Sequence, residues 1–175
     1  MIKRLVLGGA IVTVFLSIAI YAWLGGFQSE QIEKISYSSR TVVGTLYQGA
    51  YGDLALRKIF VTAQQQWEEN KERGTLVVVN YDSIADTNEI DQLIGILTES
   101  ASDLLQSEQI VDTLPAGDYL QVRLYGHPMV RSTPAQIIEK ARRYTADYQL
   151  NLLPPAIEHY FGTDSMWVEF RVEAN

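Results

Sequence analysis

Residues Leu5 to Leu24 form an unbroken run of 20 positions without a charge, and Lys3 and Arg4 stand directly before it. At about 1.5 Å per residue, a helix of that length reaches roughly 30 Å, the thickness of a bilayer's hydrocarbon core. A helix buried in a globular core would carry polar positions at helical spacing, and here only Thr13 and Ser17 are polar. A secretory signal has a shorter apolar stretch and a small-x-small cleavage site. Tyr21-Ala22-Trp23-Leu24 offers no clean site, although Leu24-Gly25-Gly26 is tolerable. The run therefore reads as a retained transmembrane anchor, with a cleaved signal as the alternative. The two basic residues lie on the N-terminal side and Glu30 beyond the run. The positive-inside rule then predicts a single-pass membrane protein with a cytoplasmic N-terminus and an extracytoplasmic domain, on the periplasmic or outer face. The organisation expected is an anchor over 1–27, a polar stalk over 28–36 and one domain over 37–175.

Without Lys3 and Arg4 the chain has 12 basic residues against 21 acidic, a net charge of −9. Such a surface repels phosphate backbones, and no basic stripe with interleaved aromatics is present, so no nucleic-acid partner is expected. With no cysteine, thiol chemistry and cysteine-based zinc sites are excluded. His127 and His159 are the only imidazoles, and neither has a companion at metal-ligand spacing. No metal or cofactor is implied, and no phosphate loop or nucleophile elbow is present.

Alternation over Thr41–Tyr47 predicts a strand. Asp53 then stands at the N-cap of a helix with Leu56, Ile59, Phe60, Ala63 and Trp67 on one face, and Gly74 is expected to stop it in a left-handed conformation. Strands follow at Thr75–Asp82 and Leu93–Thr98, with Asp86–Glu89 as a loop and Ser102–Gln106 as a helical turn. The order then recurs. Tyr119–Tyr125 alternates, Thr133-Pro134 opens a helix with a capping hydroxyl and proline at its first position, and Ile157–Phe161 and Met166–Val172 read as strands. Gly49 to Trp67 and Gly126 to Tyr144 have the same spacing. This predicts an α+β fold built from a duplicated β-α-β-β unit with pseudo-twofold symmetry. Repeat one covers 37–98, a connector 99–113 and repeat two 114–175. Antiparallel sheets would flank a cleft between the repeats, preceded by one transmembrane helix.

If Leu120, Val122 and Leu124 pack under the second helix, Tyr119, Gln121, Arg123 and Tyr125 face away from it. By the same parity Trp167, Glu169 and Arg171 oppose Met166, Val168, Phe170 and Val172. Aromatic walls with one carboxylate suit a flat apolar or cationic guest, and a desolvated carboxylate could also act as general acid or base. An exposed ladder, with Glu169 pairing to Arg171 and tyrosines packing across strands, is the alternative.

Four motifs now stand in order: Gly49-Ala50-Tyr51, Asn80-Tyr81-Asp82, Leu114-Pro115-Ala116-Gly117-Asp118-Tyr119 and Trp167-Val168-Glu169. Together they resemble the GyrI-like small-molecule-binding family, the effector-binding domain type of AraC and MerR regulators, built of SHS2-type repeats. An N-terminal anchor before such a domain is similar to the testis-expressed ER-phagy receptor group, most clearly at Tyr47–Gly52 and Val79–Asp82. The resemblance implies a cleft between repeats in which the last-strand glutamate, here Glu169, binds cationic aromatic guests. It implies ligand-binding residues Tyr47, Tyr51, Tyr81, Tyr119, Tyr125, Trp167 and Glu169. Some members of the family are hydrolases of cyclopropane-containing compounds, which makes Glu169 with Trp167 and Tyr119 or Tyr125 the candidate catalytic set. The chain departs from the family at Arg171, where proline is common, and at Gly126-His127-Pro128-Met129, where a tyrosine is expected. The function expected is a membrane-anchored binder of a small apolar or cationic ligand and not an enzyme. The alternatives are a membrane-tethered protein-interaction module, recognised through loops such as Asp86–Asp91, and a hydrolase using Glu169.

Overall fold

The structure, a computed structural model, describes residues 2–81, 89–162 and 165–174, with side chains from residue 11 onward. The order is α1 (Ile2–Trp23), β1 (Gln31–Tyr37), β2 (Arg40–Ala50), α2 (Leu54–Glu69), β3 (Thr75–Asn80) and β4 (Glu89–Thr98), then β5 (Ile110–Leu114), β6 (Gly117–Tyr125), α3 (Pro134–Asp147), β7 (Leu150–Tyr160) and β8 (Ser165–Ala174). All eight strands belong to one antiparallel sheet of order β1-β6-β8-β7-β3-β4-β2-β5. The expected pair of sheets with a cleft between them is therefore corrected. Backbone pairing of β3 with β7, from Leu76↔Tyr160 to Asn80↔Ala156, fuses both halves into one surface.

The sheet cannot lie flat. β1 and β2 are six strand spacings apart, about 29 Å at ~4.8 Å each. Yet only Ser38 and Ser39 separate Tyr37 from Arg40, and three peptide steps span at most ~11 Å. Likewise only Pro115 and Ala116 join β5, at one edge, to β6 near the other. The sheet rolls until its ends meet, and Tyr37 packs with Val42 and Leu114 from the far end.

Both α2 and α3 lie on the outer face of this roll. Leu120, Val122, Leu124, Val168, Phe170 and Val172 pack with Ile137 and Ala141 of α3. Leu76, Val78 and Ile94 pack with Ala63 of α2. The local chemistry at the helix starts is direct. The Asp53 carboxylate accepts from Ala55 N at 3.0 Å, and Thr133 with Gln136 closes a capping box before Pro134.

Other expectations are revised. Gly74 is extended, with φ 168°, and is no left-handed stop; α2 ends at Asn70, whose side chain donates to Gln66 O at 2.8 Å. Glycine is needed at position 74 because a Cβ there would lie 2.2 Å from Leu97 O. Residues 31–36, expected in the stalk, belong to the edge strand β1 on β6, and β5 lies partly within the expected connector. The strand expected from Ile157 begins at Leu150, and Pro154-Pro155 sit within it in a shift of register between Leu153 and Ala156. The loop expected over Asp86–Glu89 lies outside the described residues except for Glu89, which opens β4.

Among the described residues no helix is long and apolar enough to cross a membrane. This overturns the transmembrane helix of the expected fold, and with it the single-pass location and the assignment of sides. The end of α1 is tied to the domain: His127 N donates to Leu24 O at 2.8 Å, and the rings of Tyr21 and Phe27 meet edge to face at 5.1 Å.

Candidate functional site

The inner face of the roll collects the polar residues that strand parity points away from the helices. Cross-strand register brings Gln121 opposite Glu169, Arg123 opposite Trp167, and Tyr119 opposite Arg171. On the other flank of β8, Ile157 faces Glu169 and His159 faces Trp167. Glu169 is only 1% exposed, and Tyr119 and Gln121 are fully buried.

A buried carboxylate is costly unless paired and hydrogen-bonded. The Tyr37 hydroxyl and Gln121 Nε2 each donate to Glu169 Oε1 at 2.9 Å. Arg40 Nη1 lies 2.8 Å from Oε2, and His159 Nε2 lies 3.1 Å from the same oxygen. Neither contact at Oε2 is aligned as a hydrogen bond, and Arg40 acts there as a charge contact. Burial pushes the Glu169 carboxyl up, but His159, the Arg40 charge and the Gln121 amide outweigh it and hold the group down at about 2. Burial and the neighbouring Glu169 push the Tyr37 phenol up to about 12, which keeps it a neutral donor.

Arg40 is the unexpected member. It opens β2, and its guanidinium carbon sits 3.8 Å from the Tyr37 ring centroid and 4.9 Å from that of Tyr119. Tyr119 is itself fixed by donating to Pro115 O at 2.8 Å. Arg123 donates through Nε to Gln121 Oε1 at 2.6 Å, pairs with Glu33, and covers the Trp167 ring at 5.0 Å. Trp167 in turn meets Phe161, with centroids 4.2 Å apart, at the more open rim.

Of the expected ligand-binding residues, Tyr119, Trp167 and Glu169 come together here. Tyr81 lies on the same inner face, packed with Tyr119 and Ile157, and its hydroxyl donates to Asp112. Tyr125 reaches Gln31 Oε1 at 3.4 Å toward the end of β6. Tyr47 lies elsewhere: its hydroxyl donates to Ala50 O at 3.0 Å and to Asp53 at 3.3 Å, bracing the start of α2. Tyr51 is 79% exposed in the turn before that helix. Sequence reasoning missed Tyr37 and Arg40, and it undervalued His159. His159 shares the parity of Ile157, a signal that was present; the Arg40 contact joins two distant stretches and leaves no local mark. Among the described residues no three His, Asp or Glu side chains are grouped so as to hold a metal ion.

No known family profile and no curated protein matches this sequence. Solved structures do match in fold. SAV2435 bound to tetraphenylphosphonium superposes with a TM-score of 0.53 at 17% identity, over 83% of this chain and 94% of that one. The EcmrR C-terminal domain gives 0.63 at 12%, over 85% and 100%. A hydrolase from Listeria innocua gives 0.55 at 8%, over 82% and 92%. These likenesses support a GyrI-like fold for the chain.

Proposed function

We propose that the chain is a small-molecule-binding domain that takes an apolar or cationic ligand on the inner face of its sheet, with Glu169 as the charged anchor. One observation carries the reading: a guanidinium already rests there, against Glu169 and over the Tyr37 ring. The face thus has the chemistry that holds a planar cation, and ring contacts of this kind contribute roughly 0.5–2 kcal/mol each. That SAV2435, similar in fold, is bound to tetraphenylphosphonium supports the same reading. The ligand would approach past Trp167 and Phe161, the latter 37% exposed.

Binding fits this carboxylate better than proton transfer does. A general acid or base works best with a pKa near the working pH, and Glu169, held at about 2, lies far below it. The test is a thermal-shift screen of the full chain against hydrophobic cations and neutral aromatic compounds. A ligand at a hundred times its Kd adds about 2.7 kcal/mol to stability, a readily seen shift. Stabilisation by either class that weakens in Glu169→Gln supports the reading. No stabilisation by any compound, up to millimolar concentration, overturns it.

A further inference from the structure

The residues that make the inner face suitable for a cation are already engaged, and by a residue of the chain itself. Arg40 supplies the charge against Glu169 and stacks on Tyr37 and Tyr119. Resting on the functional reading above, we infer that Arg40 is a tethered occupant of the cation seat: it keeps the site closed to outside cations, and a cationic ligand enters by displacing it. Arg40 is thereby a specificity-determining residue, and residues 38–40 are the strap that carries it.

Three observations support the inference. First, the seat holds Arg40 imperfectly. Its Nε and Nη2 are buried with no hydrogen-bond partner, and Glu169 Oε2 receives it without alignment. Buried charged donors left unsatisfied are a standing cost, so a guest that needs no hydrogen bonds, such as a quaternary cation, competes on favourable terms. Second, the tether is short and local. Arg40 is the first residue of β2, paired with Leu114 of the short edge strand β5, and is preceded by Ser38 and Ser39, which lie outside any strand. Releasing the side chain requires freeing one end of a strand, not opening the core. Third, the charge balance changes sign with Arg40. Glu169 and Arg40 cancel, and Arg123 is taken up by Glu33 and Gln121. Removing Arg40 leaves the buried Glu169 carboxylate, with His159 Nε2 3.1 Å away, beside the Tyr37 and Tyr119 rings that the guanidinium had covered, an arrangement that favours a delocalised cation over water.

The experiment is calorimetric titration of tetraphenylphosphonium into the full chain as wild type, Arg40→Ala, Arg40→Met, Arg40→Lys and Arg40→Ala/Glu169→Gln. The Met variant keeps an apolar stem against the rings and covers the case in which the Ala variant does not fold. The Ala or Met variant is expected to bind at least tenfold more tightly than wild type, with Lys close to wild type. The gain should vanish in the double variant. Binding by wild type with no gain in a folded Ala or Met variant overturns the role of Arg40 and leaves the binding reading standing. Absence of binding in every variant, together with a flat compound screen, overturns both.

Discussion

Acidification should remove a defined part of this protein's stability, and a single residue should account for it. The Glu169 carboxyl sits at about 2 in the folded chain against an ordinary 4.5: burial alone would raise it, but His159, Arg40 and Gln121 pull it lower. Because the folded value is the lower one, the unfolded chain takes up the proton first. The stabilisation is complete above the ordinary value and is lost as pH falls from about 4.5 toward about 2. At about 1.36 kcal/mol per pH unit, that gap is worth about 3 kcal/mol, a large part of a typical domain's 5–15 kcal/mol. Glu169→Gln mimics the protonated state at every pH. It should cost about 3 kcal/mol at pH 7, in line with the 3–5 kcal/mol expected for breaking a buried pair. The assay is urea unfolding of the full chain, followed by tryptophan fluorescence at half-unit steps from pH 7 to 2.5. Wild type and variant should converge as pH falls. Two parallel curves, displaced equally at pH 7 and pH 3, would refute the assignment of this stability to Glu169.

Glu158, on the outer face, should show the opposite sign. Burial pushes its carboxyl up despite hydrogen bonds from Tyr160 and Asn80, so folding favours its protonated form and stability falls as pH rises through its titration; unfolding curves of Glu158→Gln should lack that fall. Asp53→Ala removes the N-cap of α2 and its contact with Tyr47, and should cost about 1 kcal/mol in urea unfolding, with no loss if the cap is unimportant. Gly95→Ala would place a Cβ 2.0 Å from Val43 O, where β2 and β4 approach at Gly44↔Gly95. That should cost about 1–3 kcal/mol, and a change within about 0.5 kcal/mol would show that the strands can part freely.

What was legible in the sequence was local. Asp53 and Thr133-Pro134 mark helix starts because a cap depends on residues within one turn. The division of β6 and β8 into two faces follows from alternation that holds without interruption from Tyr119 to Tyr125 and from Met166 to Val172. The strand β1, Gln-Ile-Glu-Lys-Ile-Ser-Tyr, is half-exposed at an edge and shows no clean alternation; what holds it is backbone pairing to β6, a distant stretch. β5 is the other edge of the same sheet and was missed for the same reason. Gly74 resembled a helix stop, but the demand for glycine comes from Leu97 on the neighbouring strand. The seven-residue ligand set mixed residues of both faces, since Tyr47 has the parity of Val43, which packs outward with Ile96 and Leu104. The roll of the sheet brings Arg40 to Glu169, and only the order of strands reveals it.

The most direct test of the account is a crystal structure of the chain with the most strongly stabilising compound from the screen. Density is expected on the inner face, against Trp167 and reaching Glu169, with Arg40 displaced where the compound is a cation. Density only on the helix-covered face, or in the cavity of about 500 Å³ between the end of α1 and Lys140 of α3, would contradict it.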